Sequence, residues 1–224
     1  MKTRAVISHD HPKYKARRDA MKGDRYNGAY YYSKEIVEKI IPLVDTDRNW
    51  VTINIPGECK DHSIVFIHNN LTPQIYEWLS EYKDLVLVCG IPETCEKVAQ
   101  WGTPIYLPLS IDTEEVKKYR RPKTRRRAIV GRSNKCLGSH VLPGTDRIFD
   151  MPRSDMLSLM AEYREVYAVG RCALEALVLG CSLLPYDERF PDVSRWKVVD
   201  SREAAQWLQK ELDRIDKGGE LNGE

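Results

Sequence analysis

The segment that most constrains the fold of this chain is residues 165–187, which read EVYAVGRCALEALVLGCSLLPYD. Two short apolar runs, Val166–Val169 and Cys181–Tyr186, are typical of β-strands. Between them, Cys172–Leu179 consists mostly of good helix formers with almost no polar face, which predicts a helix buried on most sides. Gly180 is placed as the glycine that ends a helix. A strand, a helix and a strand at this spacing predict two parallel strands joined by a right-handed crossover.

Two polar features interrupt this apolar unit. Glu175 is a single carboxylate on the predicted buried helix, where a charge is costly without a partner, and we expect no partner from the rest of the segment. Gly170 and Arg171 lie at the turn from strand to helix, where backbone N–H groups, the positive helix end and a guanidinium together favour phosphate. A phosphate at the turn and a hydroxyl bound by Glu175 would fit a nucleoside diphosphate.

At these residues the sequence resembles the C-terminal domain of GT-B glycosyltransferases, which commonly show a turn, then Leu-Glu-Ala-Leu, a Gly, a small residue and a strand. The resemblance implies that Glu175 holds the ribose of the donor. It also implies that four residues line the diphosphate: Gly170, Arg171, Cys172 and Ala173. Many members carry a second Glu eight positions earlier, and here that position is Tyr167. Taken alone, Leu-Glu-Ala-Leu is an ordinary helix sequence, but the flanking glycines and strands favour a nucleotide site.

The resemblance extends to two loops that precede this segment. Gly131 and Arg132 follow a predicted strand, and Lys135 lies three positions further on. In the family an Arg and a Lys at such positions hold the diphosphate, and fixed cations there would stabilise the leaving group without a metal. The alternative is a pair of solvated loop cations. Residues 149–152, which include Met151, occupy the next strand end, where backbone groups of the family contact the nucleobase.

The first half of the chain contains candidates for contact with the transferred sugar and for the catalytic base. His68 ends a predicted buried strand, where it would contact the sugar or act as a base near neutral pH. An equal alternative is that it caps the strand and bonds to the asparagines that follow. Asp10 and His11 follow the first predicted strand, where such an Asp-His pair would act as the base of an inverting transferase or would bind nothing. Gly28 ends a long polar stretch, and we place it with the acceptor site.

A basic tract, Lys117–Arg127, reads KKYRRPKTRRR and holds eight basic residues and no acid. Without it, 27 basic residues remain against 33 acidic ones, so the rest of the chain has a net charge of −6. Three interpretations stay open: a solvated linker, a contribution to the donor phosphate site, or a surface for an anionic acceptor such as nucleic acid, an anionic polymer or phospholipid. In the last case the contact residues would be Arg125, Arg126 and Arg127.

Strands and helices alternate along both halves, which predicts an α/β protein. The expected strands are Arg4–Ser8, Trp50–Ile55, Ser63–His68, Leu85–Cys89, Pro104–Leu109, Ala128–Val130, Arg147–Phe149, Val166–Val169, Cys181–Tyr186 and Trp196–Val199. Outside the central segment, the expected helices are Lys34–Leu43 capped by Ser33, Pro73–Tyr82, Pro92–Trp101, Ser154–Glu162 and Ser201–Ile215. We expect two small Rossmann-like, doubly wound domains, and the GT-B resemblance implies that they face each other across a cleft. The predicted boundaries are 1–111 for the acceptor domain, 112–127 for a basic linker, 128–216 for the nucleotide-sugar domain and 217–224 for a tail.

Composition predicts the cellular location of the protein and the state of its cysteines. No apolar run approaches the ~20 residues that span a bilayer, and the first residues lack the apolar core of a signal peptide, so a cytoplasmic location is expected. Six scattered cysteines without a C-x-x-C pair predict reduced thiols, and we assign no metal.

Together these features predict a metal-independent GT-B glycosyltransferase that takes its sugar from a nucleotide-sugar co-substrate and needs no other cofactor. The alternative is a non-catalytic module that binds a nucleotide in this pocket or nucleic acid through the basic tract. A sugar-nucleotide epimerase is a third interpretation.

Overall fold

The structure is a computed structural model that describes residues 28–52, 59–67, 73–131, 141–186 and 192–218. The chain divides into two compact units. Among the described residues, the first unit comprises Ser33–Pro108 and the chain from Ser201 onward, and the second comprises the chain up to Tyr32 and Leu109–Asp200. This division differs from the predicted one because the closing helix belongs to the first unit. Residues 112–127 belong to the second unit and do not form a separate linker.

The first unit is built on a parallel four-stranded sheet. Its strands are β1 (Asn49–Thr52), β2 (Ser63–Ile67), β3 (Val86–Cys89) and β4 (Thr103–Tyr106), and they lie in sequential order β1-β2-β3-β4. Every residue of β2 and β3 is buried, as expected of the continuous apolar runs of a covered parallel sheet. The described strands of this sheet do not reverse direction, so doubly wound topology is not seen here.

The helices of the first unit pack around this sheet and around the end of the chain. They are α1 (Gly28–Glu35, whose first residues belong to the second unit), a π turn (Ile36–Ile40), a 3-10 turn (Ile41–Leu43), α2 (Pro73–Leu79) and α3 (Pro92–Val98). The predicted capping role of Ser33 is wrong, because the helix begins at Gly28 and Ser33 lies inside it. Burial of Tyr32 in the core accompanies this earlier start, and such packing outweighs local propensity.

The second unit contains another parallel four-stranded sheet. Its strands are β5 (Arg125–Val130), β6 (Asp146–Ile148), β7 (Tyr163–Tyr167) and β8 (Ser182–Leu184), in the order β6-β5-β7-β8. The chain passes from β5 to one neighbour and then to the other, so the direction of winding reverses beside β5. This is the doubly wound pattern of Rossmann-like folds, and the two parallel sheets confirm the α/β class.

The helices of the second unit are α4 (Thr113–Lys117), α5 (Arg153–Met160) and α6 (Arg171–Val178). They share one core with the sheet, in which Val116, Leu157 and Leu174 are fully buried. Seven of the eight residues of α6 are buried, with Leu177 as the exception, which confirms the prediction of a helix buried on most sides. Because α6 directly follows β7 and its turn, its first residues lie at the carboxyl edge of the sheet.

Other predicted elements differ in detail, among them the strand predicted at Val166–Val169, which is observed at Tyr163–Tyr167. Residues 196–199 form no strand; a 3-10 turn covers Val193–Arg195, and Trp196 is held by side-chain packing against the core. Strand β5 begins at Arg125 and not at Ala128. Its first basic residues can join the sheet because Arg125 is paired with Glu162 and Arg127 with Glu165. The predicted strand Arg4–Ser8 lies outside the described residues.

The chain ends its described part with α7 (Ser201–Asp216), in the first unit. The buried residues Ala204, Ala205, Leu208 and Leu212 form its inner face, and the helix packs against the π turn. Within the described ranges, no helix combines the length and the apolar character needed to cross a bilayer.

Candidate nucleotide site

The candidate site lies where the winding of the second sheet reverses. Strands β5 and β7 are parallel neighbours, so their carboxyl ends meet at one edge. In open α/β sheets, a ligand crevice forms at this kind of reversal. Gly131 directly follows β5 with φ 140°, and Gly170 follows β7 by three residues with φ 59°. The candidate donor residues Gly131 and Gly170 are therefore brought to the same sheet edge.

The turn at Gly170 has a backbone conformation that requires glycine. Its φ of 59° and ψ of −136° lie in a region that side chains with a Cβ rarely enter. This turn directs the chain from β7 into α6, whose first residue is Arg171. The positive end of α6 therefore begins at the sheet edge, as expected for a site that accepts an anion.

Glu175 lies one turn into α6 with none of its side chain exposed. Its Oε1 accepts from Arg171 Nε at 3.1 Å and from Arg153 Nε at 2.9 Å. The expectation that the segment supplies no partner is therefore wrong, because Arg171 is four residues earlier on the same helix face. Two guanidinium groups neutralise a carboxylate that would otherwise be strongly destabilising at this depth.

Arg153, which the sequence analysis missed, is the other arginine at this carboxylate. It begins α5, and its Nη1 donates to Glu115 Oε1 at 2.5 Å. Burial by itself would lower the pKa of Arg153, but the carboxylates of Glu175 and Glu115 outweigh burial and raise it. Arg153 and Arg171 thus balance Glu115 and Glu175 in a cluster of zero net charge.

Tyr31 joins this cluster from a distant part of the chain. Its ring centroid lies 4.9 Å from the guanidinium carbon of Arg153, in a cation–π contact. Its carbonyl oxygen accepts from Arg171 Nη1 at 3.3 Å. The first turn of α1, which starts at Gly28, therefore lies beside this charged cluster, and nothing in the sequence near Tyr31 indicated this contact.

Several other predicted donor residues belong mainly to the core. Ala173 has no exposed surface, and Cys172 is 7% exposed. Tyr167 is buried, and its hydroxyl accepts from the backbone N–H of Leu142 at 3.3 Å. Met151 is partly buried against the core of the second unit. The remaining predicted site residues lie outside the described ranges: Asp10, His11, His68, Arg132 and Lys135.

Much of the basic tract is engaged inside the second unit. Lys123 Nζ donates at 2.9 Å to the carbonyl oxygens of both Ala161 and Leu179, the residues that cap the C-termini of α5 and α6. Arg120 Nε donates to the carbonyl of Val178 at 2.7 Å. Cations at the negative ends of helices are stabilising, so these residues serve the fold. The solvated-linker interpretation is therefore wrong.

The end of the tract forms the beginning of β5. Arg127 is the register partner of Glu165 on β7, and their side chains are joined at 2.6 Å. Arg125 pairs with Glu162 at 2.9 Å, and Arg126 is exposed. Arg125 and Gly131 are six residues apart on an extended strand, on the order of 20 Å. The start of β5, which holds Arg125, Arg126 and Arg127, is therefore at the opposite end of the sheet from the Gly170 turn. This distance excludes a contribution of these three residues to a phosphate site at that turn.

Across the described ranges, no group of three or more His, Cys, Asp and Glu side chains is arranged to hold a metal ion. Comparisons of the chain with models of protein families, with curated proteins and with solved structures found no match.

Proposed function

We propose that this protein is a glycosyltransferase that moves a sugar from a nucleotide-diphosphate donor to an acceptor. The observation that carries the proposal is the placement of Gly170, Arg171 and Glu175 at the reversal point of the second sheet. A glycine turn, a positive helix end and a guanidinium recognise a diphosphate, and a carboxylate one turn along recognises a hydroxyl. This is the chemistry that the GT-B resemblance implies for the same residues.

The donor would lie with its diphosphate at the Gly170 turn. The first backbone N–H groups of α6 would donate to the diphosphate, while the Arg171 side chain stays engaged with Glu175 and the Tyr31 carbonyl. Gly131 allows close approach beside β5. In the reaction, the bond from the anomeric carbon to the diphosphate oxygen breaks, and the acceptor oxygen forms the new bond. The negative charge that develops on the leaving diphosphate is stabilised by fixed donors, among which we include Arg132 and Lys135.

The acceptor hydroxyl loses its proton to a base. His68, Asp10 and His11 remain the candidates for this role. The acceptor itself is proposed to be anionic, with nucleic acid as one class, because Arg126 and the exposed part of the basic tract remain accessible.

The proposal is tested with UDP-, GDP-, ADP-, CDP- and TDP-sugars. The melting temperature of the protein should rise with one nucleotide class by mass action, and Glu175→Gln should remove most of the shift. The matched control is Glu211→Gln, which alters a partly buried carboxylate paired with Arg214 at 2.6 Å on α7 of the first unit. If no donor shifts the melting temperature of the unaltered protein, the proposed function is wrong.

A non-catalytic nucleotide-binding module is the second candidate. The complete burial of Glu175 between two arginines favours it, because a carboxylate neutralised in this way can hold a ligand hydroxyl but is not available as a catalytic base. Incubation with the donor that binds, followed by measurement of released nucleoside diphosphate and labelled acceptor, separates the two. Binding without any turnover across a panel of acceptors would favour the module.

A further inference from the structure

Two polar atoms of the nucleotide site are buried without a hydrogen-bond partner among the described residues: Arg153 Nη2 and Glu175 Oε2. The Arg153 side chain is 9% exposed, and the Glu175 side chain is 0% exposed. A buried donor or acceptor left unpaired costs about 1–3 kcal/mol, and more when it carries charge. Such an atom calls for an explanation, which is a water, an ion or a ligand that completes its hydrogen bonds, or a functional role.

The two atoms belong to one incomplete interaction. Nε and Nη2 are on the same edge of a guanidinium, and this edge commonly binds both oxygens of a carboxylate in a fork. Here only the half from Nε to Oε1 is made, at 2.9 Å. Oε1 also accepts from Arg171, so this one oxygen accepts hydrogen bonds from both arginines. Glu175 Oε2 and Arg153 Nη2 are left without a partner among the described residues.

The chemistry of this pair selects its ligand. A free carboxylate or phosphate at this point would be repelled by Glu175, and an ammonium would be repelled by the two arginines. A neutral hydroxyl suits both atoms, because it donates to Oε2 and accepts from Nη2. A ligand with a hydroxyl on a ring, at one turn's distance from the anion site at Gly170, therefore matches the cluster.

We infer that Arg153 and Glu175 together form a two-point site for one ligand hydroxyl, in which Glu175 Oε2 accepts and Arg153 Nη2 donates. This rests on the proposed function, in which the hydroxyl belongs to the ribose of the donor. Arg153 thereby has two tasks: it orients the carboxylate through Nε, and it contacts the ligand through Nη2. Tyr31 is partly exposed and its ring lies over the Arg153 guanidinium, so the proposed hydroxyl site is next to an accessible side chain.

The inference is tested by isothermal titration with ADP, CDP, GDP and UDP and with the 2′-deoxy and 3′-deoxy form of each. The unaltered protein should prefer the ribose form of its nucleotide over one of the two deoxy forms by on the order of tenfold, the effect of one hydrogen bond to a charged group. In Arg153→Met this preference should fall to within about twofold, with little change in the affinity for that deoxy form. Arg153→Lys keeps the charge but not the fork, so it should lose most of the preference as well.

The control is Arg48→Met. Arg48 is a buried arginine of the first unit whose carboxylate partners are Asp84 and Asp216. Arg48→Met therefore removes a buried guanidinium with two carboxylate partners, as Arg153→Met does, but its partners are not residues of the candidate site. It should keep the full preference for ribose. If Arg153→Met does not fold, Arg153→Lys provides the same comparison.

Each failure has a distinct meaning. Measurable binding with equal affinity for ribose and both deoxy forms would overturn the inference and leave the proposed function intact. The same conclusion follows if the preference survives in the Arg153 variants, since the ion pair is then purely structural. If the unaltered protein binds none of the nucleoside diphosphates, the proposed function fails and the inference fails with it.

Discussion

Arg171 lies one helical turn before Glu175, and its Nε donates to Glu175 Oε1 at 3.1 Å with both side chains buried. The carboxylate that the sequence singles out as a ligand contact is therefore also the centre of an internal ion cluster. Arg153 completes the cluster from the start of α5. Any experiment on Glu175 thus measures stability as well as binding, and the two effects have to be separated.

Replacement of Glu175 by Leu should lower the free energy of unfolding by about 3–5 kcal/mol. The reason is that Arg153 and Arg171 would then share a buried site without their common counter-charge. Urea denaturation followed by circular dichroism measures the change. Glu114→Leu is the comparison, because Glu114 is 77% exposed in its pair with Lys117 and such surface pairs contribute little. Equal losses in the two variants would contradict the account of the cluster.

The parts of the fold that the sequence predicted best are those with local signals. Strands β2 and β3 are continuous apolar runs between turn residues, and the predicted bounds of each lie within one residue of the observed ones. Residues 196–199 are also mostly apolar, with Lys197 among them, but they form no strand, because Trp196 is held by packing against residues distant in the chain. Local patterns do not distinguish these two cases.

The candidate site shows the same limit. The Arg171–Glu175 pair has the i,i+4 spacing of a helix face, so this contact has a local signal in the sequence. Arg153 is 22 residues from Glu175 and Tyr31 is 140 residues from Arg171, so only the tertiary structure reveals them. The linker interpretation of the basic tract is wrong for a related reason: Lys123 finds its carbonyl partners 38 and 56 residues away.

Replacement of Lys123 by Met should destabilise the second unit by about 1–3 kcal/mol. Its ammonium group donates to the carbonyls that end α5 and α6, and hydrogen bonds to charged groups are among the stronger ones. The measurement is the shift of the urea midpoint. Lys118→Met removes the same charge from an exposed neighbour and should change stability by less than about 0.5 kcal/mol. A full-sized effect in Lys118→Met would show that net charge, and not capping, is responsible.

Replacement of Gly170 by Ala should cost about 1–3 kcal/mol of stability and weaken nucleotide binding. Among the described residues, and apart from the two chain neighbours, no heavy atom lies within 4 Å of the position that the alanine methyl group would take. The cost therefore comes from the backbone conformation at φ 59° and ψ −136°. Gly144→Ala is the control, since Gly144 also has a positive φ, of 72°, and no described residue beyond its chain neighbours lies within 4 Å of the added methyl group. Both variants should lose stability, but only Gly170→Ala should reduce the melting-temperature shift produced by the donor nucleotide.

His62 should make the stability of the first unit depend on pH. Its Nδ1 lies 2.5 Å from Asp84 Oδ2, and its Nε2 lies 3.1 Å from Asp47 Oδ1. Ionised carboxylates only accept hydrogen bonds, so both ring nitrogens carry protons in this arrangement. The bonds to Asp84 and then Asp47 raise the pKa of His62, against a smaller lowering by burial and by Arg48. A raised pKa in the folded state means that the stabilisation is complete below the unfolded pKa of about 6.5 and is lost as pH rises through the folded value.

The variant His62→Asn isolates this effect, because asparagine tolerates the positive φ of 63° at this position better than most residues do. The unaltered protein should exceed His62→Asn in free energy of unfolding by about 0.5 kcal/mol at pH 6, a modest amount because the histidine is 44% exposed. The difference should shrink as the pH is raised to 9. It should also shrink at pH 6 in 1 M NaCl, because salt screens exposed pairs. A difference that grows with pH would mean that the neutral ring is the stabilising form, contrary to the geometry of its two aspartate partners.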